Sequence, residues 1–355
     1  MGQNWLRIYY CKSFKIKIMQ KSCLGIDVSK LTFDVSLIVV VTGQKQPHVF
    51  SKFDNDAAGL KSFKVWLDDH HVAFDNNSIL VIENTGIYHR MIWDFCTTYL
   101  LPIFIGNAAD LKWSFGIARG KNDKVDSMRL CDYAYKNFKD IKPTTGLNKV
   151  LITLKDLLSN RSKLIKLKHA IQQTLNELKV SNDKATQSLM EKLNKAALDG
   201  LKKSITQMDS ELLKMVKQDE AINTNYKRMQ TVPGIGKITA TFIICCTNNF
   251  IIKVTGKQLA NYAGVVPFEN TSGTSVRGKS RVHFMANKEL KTLLTMGAIS
   301  AVNSNPEFTD YYQRKMKEGK KHLQVLSAIK NKMLLRVASV INEQKDYVNN
   351  YKKAC

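Results

Sequence analysis

The chain has 355 residues and carries 54 Lys and Arg against 30 Asp and Glu. The resulting formal charge of +24 is too basic for an ordinary metabolic enzyme and calls for a polyanionic partner. With 44% hydrophobic residues and length enough for two or three domains, wholesale disorder is excluded, and no apolar run approaches the roughly 18 residues of a membrane span.

The seven cysteines are odd in number and show neither CxxC nor Cys/His spacing, which predicts reduced thiols, no disulfide frame and no zinc site. The expected location is the cytoplasm in association with the nucleoid, with no membrane partner.

Residues 1–22 hold Arg7, Lys12, Lys15, Lys17 and Lys21 with no acid and no apolar stretch of signal-peptide type. They read as a basic leader, with Met19 the expected start. A first domain is placed at 23–146. Its strand-length runs are GIDVSKLTFDVSLIVVV, HVFSKF, ILVIENTG and LPIFIGN, and they are interleaved with helical segments over Ala57–His70, Tyr88–Leu100 and around KVDSMRLCDYAY. Hairpin strands come first, then strand and helix alternate, which is the order of a ribonuclease H-like α/β fold.

Four carboxylates fall at telling places in that order. Asp27 lies inside the first strand, where an apolar-flanked carboxylate is costly to bury without a partner. Glu83 ends the strand of Ile79 to Ile82. Asp123 and Asp126, three apart at a helix start, project from one face. Each alone has a plainer reading, Asp123 as a helix cap or first-turn acid, Asp126 as a solvated residue and Asp27 as the start of a turn. Taken together, they favour a site for Mg²⁺, since clustered carboxylates repel one another unless a hard cation sits among them. Two such ions would serve phosphodiester chemistry.

Residues 147–229 form a helical spacer, poor in Gly and Pro, with apolar residues at heptad-like spacing. The stripes run through Leu154, Leu157, Leu164, Ile171, Leu175 and Leu178, then from Leu198 through Leu212 and Met215 to Ile222, Tyr226 and Met229. A helical hairpin or coiled coil that spaces and oligomerises the chain is predicted.

The third domain, 230–345, is followed by a tail at 346–355. Residues 231–355 hold half the charge excess, +12. TVPGIGKITA places Gly234, Gly236 and Lys237 in a turn before an apolar helix, the hairpin of helix-hairpin-helix modules, whose backbone N–H groups grip phosphate. Farther on, TSGTSVRGKSR puts Ser272 and Gly273 in a polar loop ahead of Arg277, Lys279 and Arg281. A serine with backbone freedom and nearby cations suits nucleophilic attack on a phosphodiester, although Ser-Gly is most often a turn.

Together, GIDVSK, VIENTG, KNDKVDSMRL, TVPGIGKITA, LANYAGVVP, TSGTSVRGKSR and NPEFTDYYQRKMKEGK resemble the DEDD-type insertion-sequence transposases, a group that includes Piv-type invertases and bridge-RNA-guided serine recombinases. The resemblance spans about Leu24 to Val340. It implies an α/β plus α architecture: a RuvC-like N-terminal domain, a coiled-coil spacer and a mainly helical C-terminal transposase domain. It implies Asp27, Glu83, Asp123 and Asp126 as a tetrad holding Mg²⁺, with Mn²⁺ as a substitute, and Ser272 as the serine that becomes covalently joined to DNA. Thr271, Ser275 and Ser280 rank below it, because only Ser272 precedes the glycine. Gly234, Gly236, Lys237, Arg277, Lys279 and Arg281 would grip nucleic acid.

The partners implied are donor and target DNA, a bridge RNA encoded by the element, and further copies of the chain, dimeric and then tetrameric on synapsis. Ala286 departs from the family, which usually has glycine there. The function implied is excision and insertion of a mobile element. The alternatives are a RuvC-like junction endonuclease that uses water, or an inactive nucleic-acid-binding remnant.

Overall fold

In the computed structural model, residues 20–116, 122–180, 183–272 and 276–349 are described. The chain divides into two compact units, one ending at Leu147 and the other beginning at Asn148.

The first unit is built on β1 (Gln20–Val28), which pairs antiparallel with β2 (Thr32–Val41). β2 also pairs with β3 (Gln44–Lys45) and β4 (Val49–Asp54). At its other edge β1 runs parallel to β5 (Ser78–Glu83), and β5 runs parallel to β6 (Ile103–Gly106). The strand order is β3-β2-β1-β5-β6. Helix α1 (Ala57–Asp69) follows β4, α2 (Arg90–Tyr99) joins β5 to β6, and α3 (Ala108–Ser114) and α4 (Asp123–Lys136) follow β6. A hairpin followed by parallel crossovers is the predicted order and is consistent with a ribonuclease H-like domain.

Period-two alternation gives the sheet two apolar faces. Leu24, Ile26, Phe33, Val35 and Leu37 pack with Phe63 of α1 and Ile92 of α2. Cys23, Ile38, Ile79 and Val81 pack with Leu111 of α3 and Leu130, Cys131 and Ala134 of α4. A one-residue register slip would exchange the two sets, so burial of about 1.5–3 kcal/mol per large side chain fixes the pairing. β1 takes in Gln20, Lys21 and Ser22, which the reading of a 1–22 leader had placed outside the fold. They pair with Val41, Val40 and Val39 of β2. Met19 and the residues before it lie outside those described.

The second unit is mostly helical. Helices α5 (Lys149–Leu178) and α6 (Lys184–Gln218) run antiparallel, with Arg161 paired to Asp209 across them. After them come α7 (Glu220–Gln230), α8 (Lys237–Cys246) and α9 (Gly256–Tyr262), and then the hairpin of β7 (Phe268–Ser272) and β8 (Val276–Arg281). The chain closes with α10 (Lys288–Ser304), α11 (Pro306–Lys317) and α12 (His322–Asn342), the last with a buried face running from Val325 to Ile341.

Three expectations change here. The continuous apolar stripe predicted through Met229 is cut at Asp219, whose carboxylate accepts from the Ile222 N–H at 3.0 Å and starts α7 as a separate helix. Leu151, Leu154, Leu158, Leu212 and Val216 share one core with α8, α10 and α12, so the inner ends of the spacer are part of the C-terminal fold. Tyr347, assigned to the tail, is anchored by its N–H to Thr231 at 2.8 Å and by its hydroxyl to Glu307 at 3.3 Å. Cys23, Cys96, Cys131 and Cys245 are buried free thiols, and Cys246 is a half-buried one. Among the described residues no helix is long and apolar enough to cross a membrane.

Candidate active site

The alternation that buries Cys23 and Val81 against α4 carries onward along each strand. It places Asp27 and Glu83 on the same face, two residues beyond Gly25 and Val81. Ile26 pairs with Ile82, so Asp27 and Glu83 follow side by side at the carboxyl ends of two adjacent parallel strands, where α/β sheets place their sites. Across the hairpin, Asp27 stands opposite Asp34.

Helix α4 brings the remaining two acids. Asn122 caps it, its side chain accepting from the Lys124 N–H at 2.9 Å, so Asp123 and Asp126 occupy the first turn, where the helix dipole favours negative charge. Two contacts seat α4 on the sheet. Gly25 has no Cβ, and one added there would collide with the backbone of Ser127, Leu130 and Cys131. The buried hydroxyls of Ser36 and Ser127 meet at 2.9 Å.

The electrostatics record this convergence. Asp27 is pushed up from its ordinary value to about 6, first by burial and then by the negative charges of Asp123, Asp126, Glu83 and Asp34. Asp126 is partly neutralised by the Arg129 guanidinium at 2.7 Å, and Asp34, 7% exposed, by the Lys52 ammonium at 3.4 Å. No three His, Cys, Asp or Glu side chains among the described residues already stand close enough together to hold one ion. The four side chains are nevertheless all carboxylates, the donor type a hard divalent cation takes, and burial first and their mutual repulsion second displace Asp27 in the direction a cation would reverse.

Asp34 escaped the sequence reading. The argument applied to Asp27, a carboxylate among apolar strand residues, applies to it equally, and a tight hairpin after Val28 pairs the two.

In the second unit, Ser272 ends β7 opposite Val276, and Thr271 stands opposite Arg277. The polar loop predicted around Ser272 is therefore a two-stranded ribbon up to that residue, since Phe268, Thr271 and Val276 suit extended backbone. Gly273 and Ser275, and the side chains of Ser272, Arg277 and Lys279, lie outside the described residues. Arg281 pairs with Phe268 at the ribbon's base and is exposed, as is the neighbouring Ser280.

The PGIG turn divides into two roles. Gly234, at φ +84°, packs into α10, where a Cβ would strike the Gly297 carbonyl and the Met333 side chain. Gly236 and Lys237 are exposed at the start of α8. Gly234 is thus engaged in packing, and only the latter two face solvent. Ala286, at the position where glycine was expected, lies against Gly264, whose φ of +61° and missing Cβ make room for the methyl group.

A transposase model of the DEDD IS110 type matches residues 24–181, and a model described as transposase IS116/IS110/IS902 family matches residues 226–313. The pilin gene-inverting proteins of Moraxella bovis and Moraxella lacunata are each 27% identical over 337 residues, covering 93% of this chain and 98% of theirs. The insertion element IS110 uncharacterized 43.6 kDa protein of Streptomyces coelicolor is 32% identical over 98 residues, 28% of this chain and 24% of that protein. Two family models in tandem, and relatives aligned end to end, place this chain in the IS110-type family of DEDD transposases.

Proposed function

We propose that the chain excises and inserts a mobile element through a serine-DNA covalent intermediate. Family membership supplies the general activity, DNA recombination. The observation that supports the cleavage site is the placement of Asp27 and Glu83 at adjacent strand ends, with Asp123 and Asp126 in the first turn of the helix packed on that face of the sheet.

In this reading the Ser272 hydroxyl attacks a DNA phosphorus and its proton passes to solvent. The Oγ–P bond forms, the P–O bond to the neighbouring sugar breaks, and the released sugar oxygen takes up a proton. Attack by a new sugar hydroxyl reverses the exchange and frees the serine, so strands are rejoined without a high-energy cofactor. Asp27, Glu83, Asp123 and Asp126 would hold Mg²⁺, which would supply positive charge to the phosphate oxygens. Arg277, Lys279 and Arg281, with Lys237 and the N–H groups at Gly236, hold the DNA backbone. The chain works as a homo-oligomer, dimeric and then tetrameric on synapsis, with donor and target DNA and a bridge RNA as its partners. Inversion, which the Moraxella relatives are named for, and excision differ only in which ends are rejoined.

Trapping tests this. Wild-type chain with donor DNA, the element's RNA and Mg²⁺ should yield a covalent adduct mapped to the peptide containing Ser272. Ser272→Ala should give neither adduct nor cleavage, and Asp126→Ala should bind DNA without forming adduct. Cleavage that persists in Ser272→Ala would remove the serine from the mechanism.

A further inference from the structure

The second unit holds a cavity of about 720 Å³ between the segment 264–267, the outgoing end of β8, and helices α10, α11 and α12. Its floor and lip are apolar, from Val265, Val266 and Pro267 to Leu323, whose side chain is 71% exposed. Lys291, Lys315 and Lys320 line it as well, Lys315 with its ammonium bonded to the Glu318 carboxylate at 2.6 Å, and no carboxylate is among its described lining residues. Gln324 and Asn331 add amide groups with both donor and acceptor atoms. Lys332 beside it stacks on the Tyr311 ring at 4.2 Å. Its proton affinity is lowered by burial and by Arg336, Arg314 and Lys315, against the pull of Glu307. An excess of positive charge thus surrounds a concave apolar surface.

We propose that this cavity seats an unpaired nucleotide of a nucleic-acid strand, its base against Val266, Pro267 and Leu323 and its phosphates against Lys291 and Lys320. The chemistry selects this occupant. An apolar wall wants a flat, uncharged ring, the amides can bond the edge of a base, and the lysines want anions beside it. A duplex keeps its bases stacked inside and offers only phosphates to a concave wall, so a paired strand cannot use the apolar part.

The position is also suggestive. Ser280 lines the cavity, and Val276, four residues back along β8, pairs with Ser272. At ~3.3 Å per strand residue the cavity opens roughly 13 Å from the ribbon's serine end. A strand parted for exchange, or an unpaired guide nucleotide, could be held there. The proposal rests on the recombinase reading only for the nature of the polyanion, and its test uses neither Ser272 nor the carboxylates.

The test is fluorescence anisotropy with the full chain, using a ten-nucleotide oligo-dT, a ten-nucleotide oligo-rU, a blunt duplex and free thymidine monophosphate as competitor. Lys320→Glu and Leu323→Asp alter exposed side chains and should leave the fold intact. Each should weaken single-strand binding about tenfold while changing duplex affinity less than twofold, and Lys320→Ala should lower the salt slope by about one. Whichever of oligo-dT and oligo-rU loses more affinity identifies the strand. A 4-thiothymidine or 4-thiouridine oligonucleotide should photocrosslink within 264–267 or 311–331.

The proposal is overturned if both variants keep single-strand affinity within twofold or if duplex binding falls by the same factor. Crosslinks confined to other segments would overturn it too, as would free monophosphate competing as well as the strand.

Discussion

Gly25 lies directly beneath Cys131, and the Cys131 backbone nitrogen occupies the space that a Cβ on Gly25 would take. The Cys131 thiol also reaches back to the Cys23 carbonyl at 3.0 Å. These contacts set the height of α4 above β1, and so the distance from Asp123 and Asp126 to Asp27. A glycine within a strand here marks a close backbone approach.

Gly25→Ala should therefore act on the site through the helix. Overpacking costs about 1–3 kcal/mol, and the relief available is a lift of α4 away from the sheet. Chemical denaturation should show that loss with the far-UV spectrum retained, while DNA cleavage falls by far more than the folded fraction. If cleavage simply follows the folded fraction, α4 is not a positioning element.

The Ser36–Ser127 pair tests the same seat from the other strand. Ser36→Ala leaves the Ser127 hydroxyl its bond to the Lys124 carbonyl at 2.8 Å, so it should cost less than 1 kcal/mol. Ser127→Ala strands the Ser36 hydroxyl, which is fully buried, and should cost about 1–2 kcal/mol. In the double variant no polar group is stranded, and it should recover part of that loss in urea titrations.

Stability should also carry the mark of the carboxylates. Asp27 has a folded-state value near 6, above its ordinary 3.8, so its ionised form costs stability. That cost is fully present above pH 6 and is lost as pH falls below about 4. Asp27→Asn should raise the melting temperature by a few degrees at pH 8 without divalent cations, on the order of 1 kcal/mol after allowance for solvent screening at the open side. The gain should shrink through pH 6 and vanish near pH 4, and Mg²⁺ should give the wild type a similar gain at pH 8. A gain independent of pH would show that the Asp27 carboxyl is not displaced upward in the folded chain.

What was legible in the sequence followed from local patterns. The strands around Asp27 and Glu83, and the helix carrying Asp123 and Asp126, follow from period-two and helical apolar spacing, because each buries one face within its own layer. Asp34 was missed because a polar residue just after a tight turn usually faces water, and only the register of β2 between β1 and β4 turns it inward. The heptad stripe of α5 and α6 shows that a face is covered but not by what. Leu154 and Leu212 are covered by the C-terminal core as well as by each other's helices. Ser272 stood out through family resemblance, and a Ser-Gly pair by itself announces only a turn.

The PGIG turn separates the packing of Gly234 from the phosphate contact proposed for Gly236 and Lys237. Gly234→Ala should cost about 2–4 kcal/mol, from a left-handed φ and a collision with Gly297, and DNA affinity per folded molecule should be unchanged. Gly236→Ala meets open space, so its stability change should be small. Lys237→Ala should weaken DNA binding several-fold with a shallower salt dependence. Equal DNA affinity for Lys237→Ala and wild type at low salt would remove this turn from the nucleic-acid surface.

The shared core of spacer and C-terminal helices makes the sharpest claim about folding. A fragment beginning at residue 230 loses from its core Leu151, Leu154, Leu158, Leu212 and Val216 of the α5–α6 pair and Ile222, Tyr226 and Met229 of α7. At about 1.5–3 kcal/mol each, that loss equals or exceeds the roughly 5–15 kcal/mol by which a domain is stable. The fragment 230–349 should therefore lack a cooperative melt and near-UV dichroism, whereas 148–349 should have both. Shortening the outer part of the pair, by joining residue 164 to residue 205 through a short glycine linker, keeps the Arg161–Asp209 pair and all five core side chains. That variant should melt within a few degrees of 148–349. If 230–349 melts cooperatively on its own, the inner ends of α5 and α6 merely rest on a finished domain.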